Sequence, residues 1–388
     1  MENRREWITG PKVSPLVINT TNAATGGVET SAPEATLAHA ETDWVSQLSQ
    51  ELQSYHKNGM IQLGHIAFGQ LDAKEALLAG PLMGTTKNMA EGTRRIGVVD
   101  LAGTYGIGKT AMTNEYWRLF EGFTPEDVAI IETDAELQPM RVGGGQVVDN
   151  LKIDNGDGTT SNRQEVHVIE GLVEPHHKII RVPEKSRINY AAMPMLFDVA
   201  EYGIIQTSAG RIPLPEAVLM LNDFNSSDRK TVEVLSAAGQ SRSDMLVVLD
   251  HDDNKLSTED RRRLRNDDTP NPGEVISIVT LEKLNEWQSR LDQMNLPDSI
   301  DGYADSLIQS AKSKLESVHE IDEGFRLHRQ VGRLTKILSL FEGEAIPDKI
   351  HADKALKFVV ATRLGGLSKR NLGKVVDTFT DDVIKATH

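Results

Sequence analysis

The chain has 388 residues, 39% of them hydrophobic and 26% charged, with a net charge of −15 and no cysteine. That length holds a full core and favours two domains over one, while the missing thiols exclude disulfides and thiolate metal sites. The acidic balance argues against a nucleic acid partner; no apolar run is long enough for membrane insertion, and "MENRREW" leads into no signal-peptide core, so the expectation is a cytoplasmic protein.

Residues 11–40 are rich in Thr, Ala and Gly and carry no sustained apolar period. Residues 1–41 therefore read as a disordered tail. Helical spacing starts near Asp43, through Trp44, Leu48 and Leu52, and a second helix is expected over "DAKEALLAGPLM". Strand and helix then alternate: "RRIGVVDLAG" reads as a buried strand, "KTAMTNEYWRLFEGF" as a helix and "DVAIIETD" as a strand. "DNGDGTT" marks a hairpin tip, and a second hairpin turns at Ser208 to Gly210. "AVLMLNDFN" and "DMLVVLDHDD" are further apolar strands ending in polar residues. Strands separated by helices imply a mostly parallel sheet with its ligand at the carboxyl edge. The "RRRLR" run lies between "STED" and "NDD" and reads as a solvated helix with neutralised flanks. From about Thr280 the pattern turns helical, in four segments of which the last is "DKALKFVVATRL", with Leu334, Ile337, Leu338 and Phe341 of the third on one stripe. The expected architecture is an α/β P-loop domain over residues 42–280 followed by an all-helical lid over 281–388.

"GTYGIGKT" matches G-x-x-x-x-G-K-[ST] in full. The residues expected to hold a nucleotide are Gly103, Thr104, Tyr105, Gly106, Ile107, Gly108, Lys109, Thr110 and the following Ala111. Glycines let backbone N–H groups curl round phosphate oxygens, Lys109 reaches the outer phosphates, and the Thr110 hydroxyl can ligate Mg²⁺. The loop needs an acidic partner. Glu132 and Asp134, Glu184, and Asp250 each end an apolar run, and Asp250 fits the strand-then-Asp pattern best when taken alone. His176 and His177 have no third ligand near them in sequence and read as a solvated turn.

Taken in order, these pieces resemble the MoxR family of AAA+ ATPases from about Gly69 to Leu364. "ETDAELQPMRVGG" is similar to the segment after the family's second strand. "PEKSRINYAAMPMLFDVAEYGIIQ" resembles its D-E-I-N-R block, with Glu184 on the catalytic Glu and Arg187 on the Arg. Pro183 stands where the family has its metal-side Asp, and Ser186 rather than Asn189 stands at the Asn. "RIPLPEAVLMLNDFN" looks like the strand that ends in the sensor Asn, here Asn225; "AAGQSRSD" carries the candidate interface Arg, Arg242; and "FRLHRQVGRL" resembles the lid helix whose first Arg senses nucleotide, here Arg326, with Arg329 and Arg333 as the alternatives. The resemblance implies a homo-oligomeric, hexameric ring that hydrolyses ATP with Mg²⁺. It also implies a remodelling or chaperone role on a protein client, such as one with a von Willebrand A domain. Loss of an outer-shell metal partner weakens metal affinity or activity about 10- to 100-fold, so a slow ATPase is expected. The alternatives are an ATP-binding, hydrolysis-poor assembly module and, further off, a small-molecule P-loop kinase.

Overall fold

The computed structural model describes residues 34–388 apart from 87–93, 105, 134–136, 155–159, 170, 189, 208–209, 226–241, 250–255, 267, 320–324 and 365–371. Most of the expected tail lies outside the described residues. From Glu34, however, the chain is already helical, ahead of the expected start at Asp43. "EATLAHAETD" is built largely from Ala, Glu and Leu, which extend a helix without needing an apolar stripe.

Helix α1 (Glu34–Gly64) and helix α2 (Leu71–Met83) precede strand β1 (Gly97–Ala102), and α3 (Lys109–Glu115) follows it. Strand β2 (Val128–Ile130), helix α4 (Pro139–Gly143), and strands β3 (Gly145–Asp154) and β4 (Thr160–Ile169) come next. After β5 (Ile179–Val182) the chain forms α5 (Met193–Tyr202), β6 (Ile204–Thr207), β7 (Gly210–Pro213), β8 (Leu219–Phe224) and β9 (Met245–Val248). The remainder is helical: α6 (Thr258–Arg265), α7 (Leu281–Gln293), α8 (Asp298–His319), α9 (Arg326–Glu342), α10 (Lys349–Leu364) and α11 (Leu372–Thr387).

Five strands form one parallel sheet in the order β2-β5-β8-β1-β9. β1 and β8 are buried at every position, as near-continuous apolar runs must be when helices cover both faces of a parallel sheet. The two expected hairpins are present as β3–β4 and β6–β7, both antiparallel, and both tips lie outside the described residues.

The two faces of the sheet carry separate apolar clusters. Val99, Leu101, Ile179, Leu219 and Leu221 face one side, with Met112 of α3. Val98, Ile180, Val182 and Met220 face the other, with Val199 of α5. The first cluster runs on without a break into Leu334, Ile337, Leu338 and Phe341 of α9 and Val359 of α10. Residues 43–388 thus form one compact unit, in which the helical segment and the α/β part share a core. The expected stripe on α9 is what makes that join. The last helix, α11, had no counterpart among the expected elements; it buries Leu372, Val376 and Val383. Among the described residues no helix is long and apolar enough to cross a membrane.

Candidate nucleotide site

At the carboxyl end of β1 the chain turns through "GTYGIGKT" into α3. Gly106 and Gly108 have φ of 80° and 90°, backbone angles that a side chain resists, so the curl of the loop depends on glycine at both positions. The Lys109 side chain is buried, and its ammonium donates to the carbonyls of Gly103 and Thr104, each at 2.7 Å. Tyr105 lies outside the described residues.

A cavity of about 470 Å³ opens over this loop. Residues 106–111 form one wall. Opposite them stand Glu132 and Thr133 after β2, Arg181, Pro183 and Glu184 from β5, and Asp223 and Asn225 from β8. The fold therefore brings Glu184 and Asn225 to the same cavity as residues 106–111 of the loop. Glu132 reaches the cavity too, whereas Asp134, Asn189 and Asp250 lie outside the described residues.

The turn that carries Glu184 is held from several sides. Glu184 itself is left-handed, with φ 48° and ψ 46°, a strained conformation for a residue with a Cβ. Thr133 Oγ1 donates to the carbonyls of Pro183 at 2.7 Å and Glu184 at 3.1 Å, and the Glu184 N–H donates to Asp223 Oδ1 at 3.2 Å. The next residue, Lys185, turns under the sheet, where its ammonium meets both oxygens of Asp100 at 3.1 and 3.2 Å. Asn222 and Ser243 also donate to Asp100, at 2.6 and 2.7 Å. This buried network pins the backbone on both sides of the Glu184 side chain. The Glu184 carboxylate itself, half-buried, lies 2.6 Å from Arg187 Nη1.

On the α3 side, Arg181 Nε donates to Thr113 Oγ1 at 3.0 Å, and its Nη2 lies 3.7 Å from Asp223 Oδ2. Burial lowers the pKa of the Arg181 guanidinium, against the opposing pull of Asp223. Arg181, Asp223, Thr113 and Thr133 were not among the candidate residues. The signal for Asp223 was present, since "VLMLND" is also an apolar strand ending in Asp.

The donors around the cavity are oxygens: the Thr110 hydroxyl and the carboxylates of Glu132, Glu184 and Asp223. Such a set suits a hard cation such as Mg²⁺. The two other metal candidates do not compete with it. His177 Nδ1 accepts from the Glu174 N–H at 2.7 Å within a turn. Glu344, Asp348 and His351 come together at the start of α10, where Asp348 and His351 exchange backbone-to-side-chain bonds at 3.1 Å in both directions as a helix cap.

Arg242 and Arg326 do not line the cavity. Both lie at the amino-terminal edge of the strands, near the start of β1. Arg242 stacks on Phe197 of α5 at 4.5 Å, and Arg326 Nε lies 3.7 Å from Glu201. Arg329 reaches the same carboxylate at 3.1 Å. Burial would raise the Glu201 pKa, but Arg329, Arg95 and Arg326 together hold it below the ordinary value. Arg333 is different: it is buried, pairs with Asp292 and donates to the Leu82 carbonyl, so it joins α9 to α7 and α2. The "RRRLR" run is α6; it is charged and largely exposed, with Arg263 paired to Asp268 at 2.7 Å.

No model of a protein family matches the chain, and no curated protein sequence matches it. Among solved structures, it is similar to a Cytophaga hutchinsonii protein whose own description as an ATPase is provisional. The two superpose with a TM-score of 0.59 at 17% identity, covering 90% of this chain and 98% of the other. They share a fold. That fold is an α/β P-loop core joined to a helical segment.

Proposed function

We propose that this protein is a Mg²⁺-dependent AAA+ ATPase of the MoxR type that works as a homo-oligomeric ring. One observation carries the reading: a single cavity gathers residues 106–111 of the phosphate loop, a glutamate on a braced turn and an asparagine at the end of the neighbouring strand. Lys109 and the loop N–H groups would hold the phosphates of ATP, and Thr110 would hold Mg²⁺, which when bound neutralises phosphate charge. Glu184 would take a proton from water as its oxygen attacks the terminal phosphorus and the bond to the ADP oxygen breaks; Asn225 would orient that water. The placement of Arg242, away from its own phosphate loop, supports its use at the site of a neighbouring subunit; Arg326, expected to sense nucleotide, lies against Glu201 at the same edge and also away from that loop. The output would be movement applied to a protein client, such as a von Willebrand A domain protein.

Pro183 favours a second reading, a nucleotide-gated assembly module that binds ATP and hardly hydrolyses it. Phosphate release with Mg-ATP, measured beside light scattering for assembly, separates the two. Release that stops in Glu184→Gln supports the ATPase; assembly without release supports the module; neither, with no ATP bound, overturns both.

A further inference from the structure

The β5 strand lacks a carboxylate at Pro183, yet the cavity does not lack one at that place. The register pairs Val182 with Asn222, which sets Pro183 beside Asp223, and in a parallel sheet neighbours in register face the same side. Leu221 belongs to the cluster on the α3 side, so Asp223, two residues on, points to that side as well. The contacts agree: Asp223 Oδ2 is 3.5 Å from Thr113 Oγ1, and that hydroxyl is 3.4 Å from the carbonyl of Thr110. The carboxylate therefore touches the residue one helical turn beyond Thr110, and both Asp223 and Thr110 line the same cavity.

We infer that Asp223, on the strand next to Pro183, supplies the metal-side carboxylate of this site. The inference rests on the nucleotide reading above. Asp223 is almost wholly buried, and a buried carboxylate needs partners. Among the described residues its partners leave it room. The Glu184 N–H takes one position on Oδ1, the Thr113 hydroxyl makes a long contact to Oδ2, and Arg181 Nη2 forms an ion pair with Oδ2 at 3.7 Å, longer than a direct hydrogen bond. A carboxylate offers about four lone-pair sites, so acceptor capacity remains toward the cavity for a metal-bound water. Arg181 is braced on Thr113 and pairs with the carboxylate at 3.7 Å, which holds the carboxylate in place while leaving the other lone pairs of its oxygens to the cavity. The same carboxylate also takes the Glu184 N–H, so one residue would align both the metal side and the catalytic turn. Moving the acid by one strand leaves the face unchanged, which is why Pro183 can serve the turn.

The test is Mn²⁺ binding to protein saturated with a non-hydrolysable ATP analogue, read by electron paramagnetic resonance, beside analogue affinity in EDTA. Asp223→Asn should weaken Mn²⁺ affinity by about 10- to 100-fold and leave metal-free analogue affinity unchanged. Adding Pro183→Asp to that variant should recover the loss, because the new carboxylate stands on the same face. Pro183→Asp alone should change Mn²⁺ affinity little, since the position is already served. Unchanged Mn²⁺ affinity in Asp223→Asn, with the analogue still bound, would overturn the inference and leave the nucleotide reading standing. Should Asp223→Asn lose its fold, the Pro183→Asp variant still decides: no gain in affinity supports the inference, and a gain of about tenfold or more overturns it. Wild type that binds no analogue with or without Mn²⁺ would overturn the nucleotide reading, and this inference with it.

Discussion

Lys109 and Glu184 make different demands on their surroundings. The Lys109 ammonium rests on two loop carbonyls and, on the proposed reading, would be the loop's point charge for phosphate. Lys109→Ala should abolish binding of a fluorescent ATP analogue, and unchanged affinity would sink the nucleotide reading. Glu184 sits in a left-handed turn, so its side chain is aimed by backbone geometry as much as by its rotamer. Glu184→Gln keeps the shape and removes the base: analogue affinity should persist while phosphate release falls to background. Glu184→Gly should relieve the backbone strain and raise stability slightly while losing the same activity, which thermal unfolding beside phosphate release would show.

The elements owe their alignment to buried charge as well as to apolar packing. Asp100 of β1, Asn222 of β8, Ser243 before β9 and Lys185 after β5 meet at one carboxylate, so four parts of the sheet are tied at one depth. Asp100→Ala would leave the buried Lys185 ammonium without its counter-charge and should cost about 3–5 kcal/mol of stability in denaturant unfolding. A cost under about 1 kcal/mol, the range of a surface pair, would show that the network does not hold the sheet together. At the amino-terminal edge, α5 and α9 are joined through Glu201 and its arginines. The folded Glu201 carboxyl has a depressed pKa, so its stabilising contribution is full above the unfolded value of about 4.3 and is lost as pH falls through the folded value. Glu201→Gln should therefore flatten the fall in melting temperature on acidification below about pH 4.3, whereas an unaltered acid limb would mean that the contact carries no linkage.

At the scale of the whole molecule, the sheet has two unlike edges: the phosphate loop, Glu184 and Asn225 at the carboxyl edge, and Arg242 with Arg326 at the amino edge. The proposed ring would bring the two together from neighbouring copies. Arg242→Ala and Arg326→Ala should each keep ATP binding and lower turnover, by about 10³-fold for a true finger supplied in trans. Mixing either with Lys109→Ala protein should restore part of the activity, because each subunit can complete the other's interface. No rescue at any ratio, with subunit exchange demonstrated, would show that these arginines do not act across an interface. Much of this was legible in local pattern. The phosphate loop, the order of strands and helices, and the stripe through Leu334 and Phe341 depend on spacing along the chain, and spacing is what a sequence displays. Glu184 was legible because it ends an apolar strand, and Asn225 through the resemblance of its strand to one that ends in a sensor Asn. Asp223 also ends an apolar run, but its role was not legible, nor were those of Arg181 and Asp100, since they come from lateral register: which residue of β8 stands beside Pro183 is decided by how strands distant in sequence align. The positions of Arg242 and Arg326 likewise follow from where α5 and α9 pack, through burial of apolar faces shared across the core. Period and order belong to the sequence by itself, because neighbours along the chain create them. Adjacency across the sheet was decided only by the tertiary structure, because long-range packing sets it.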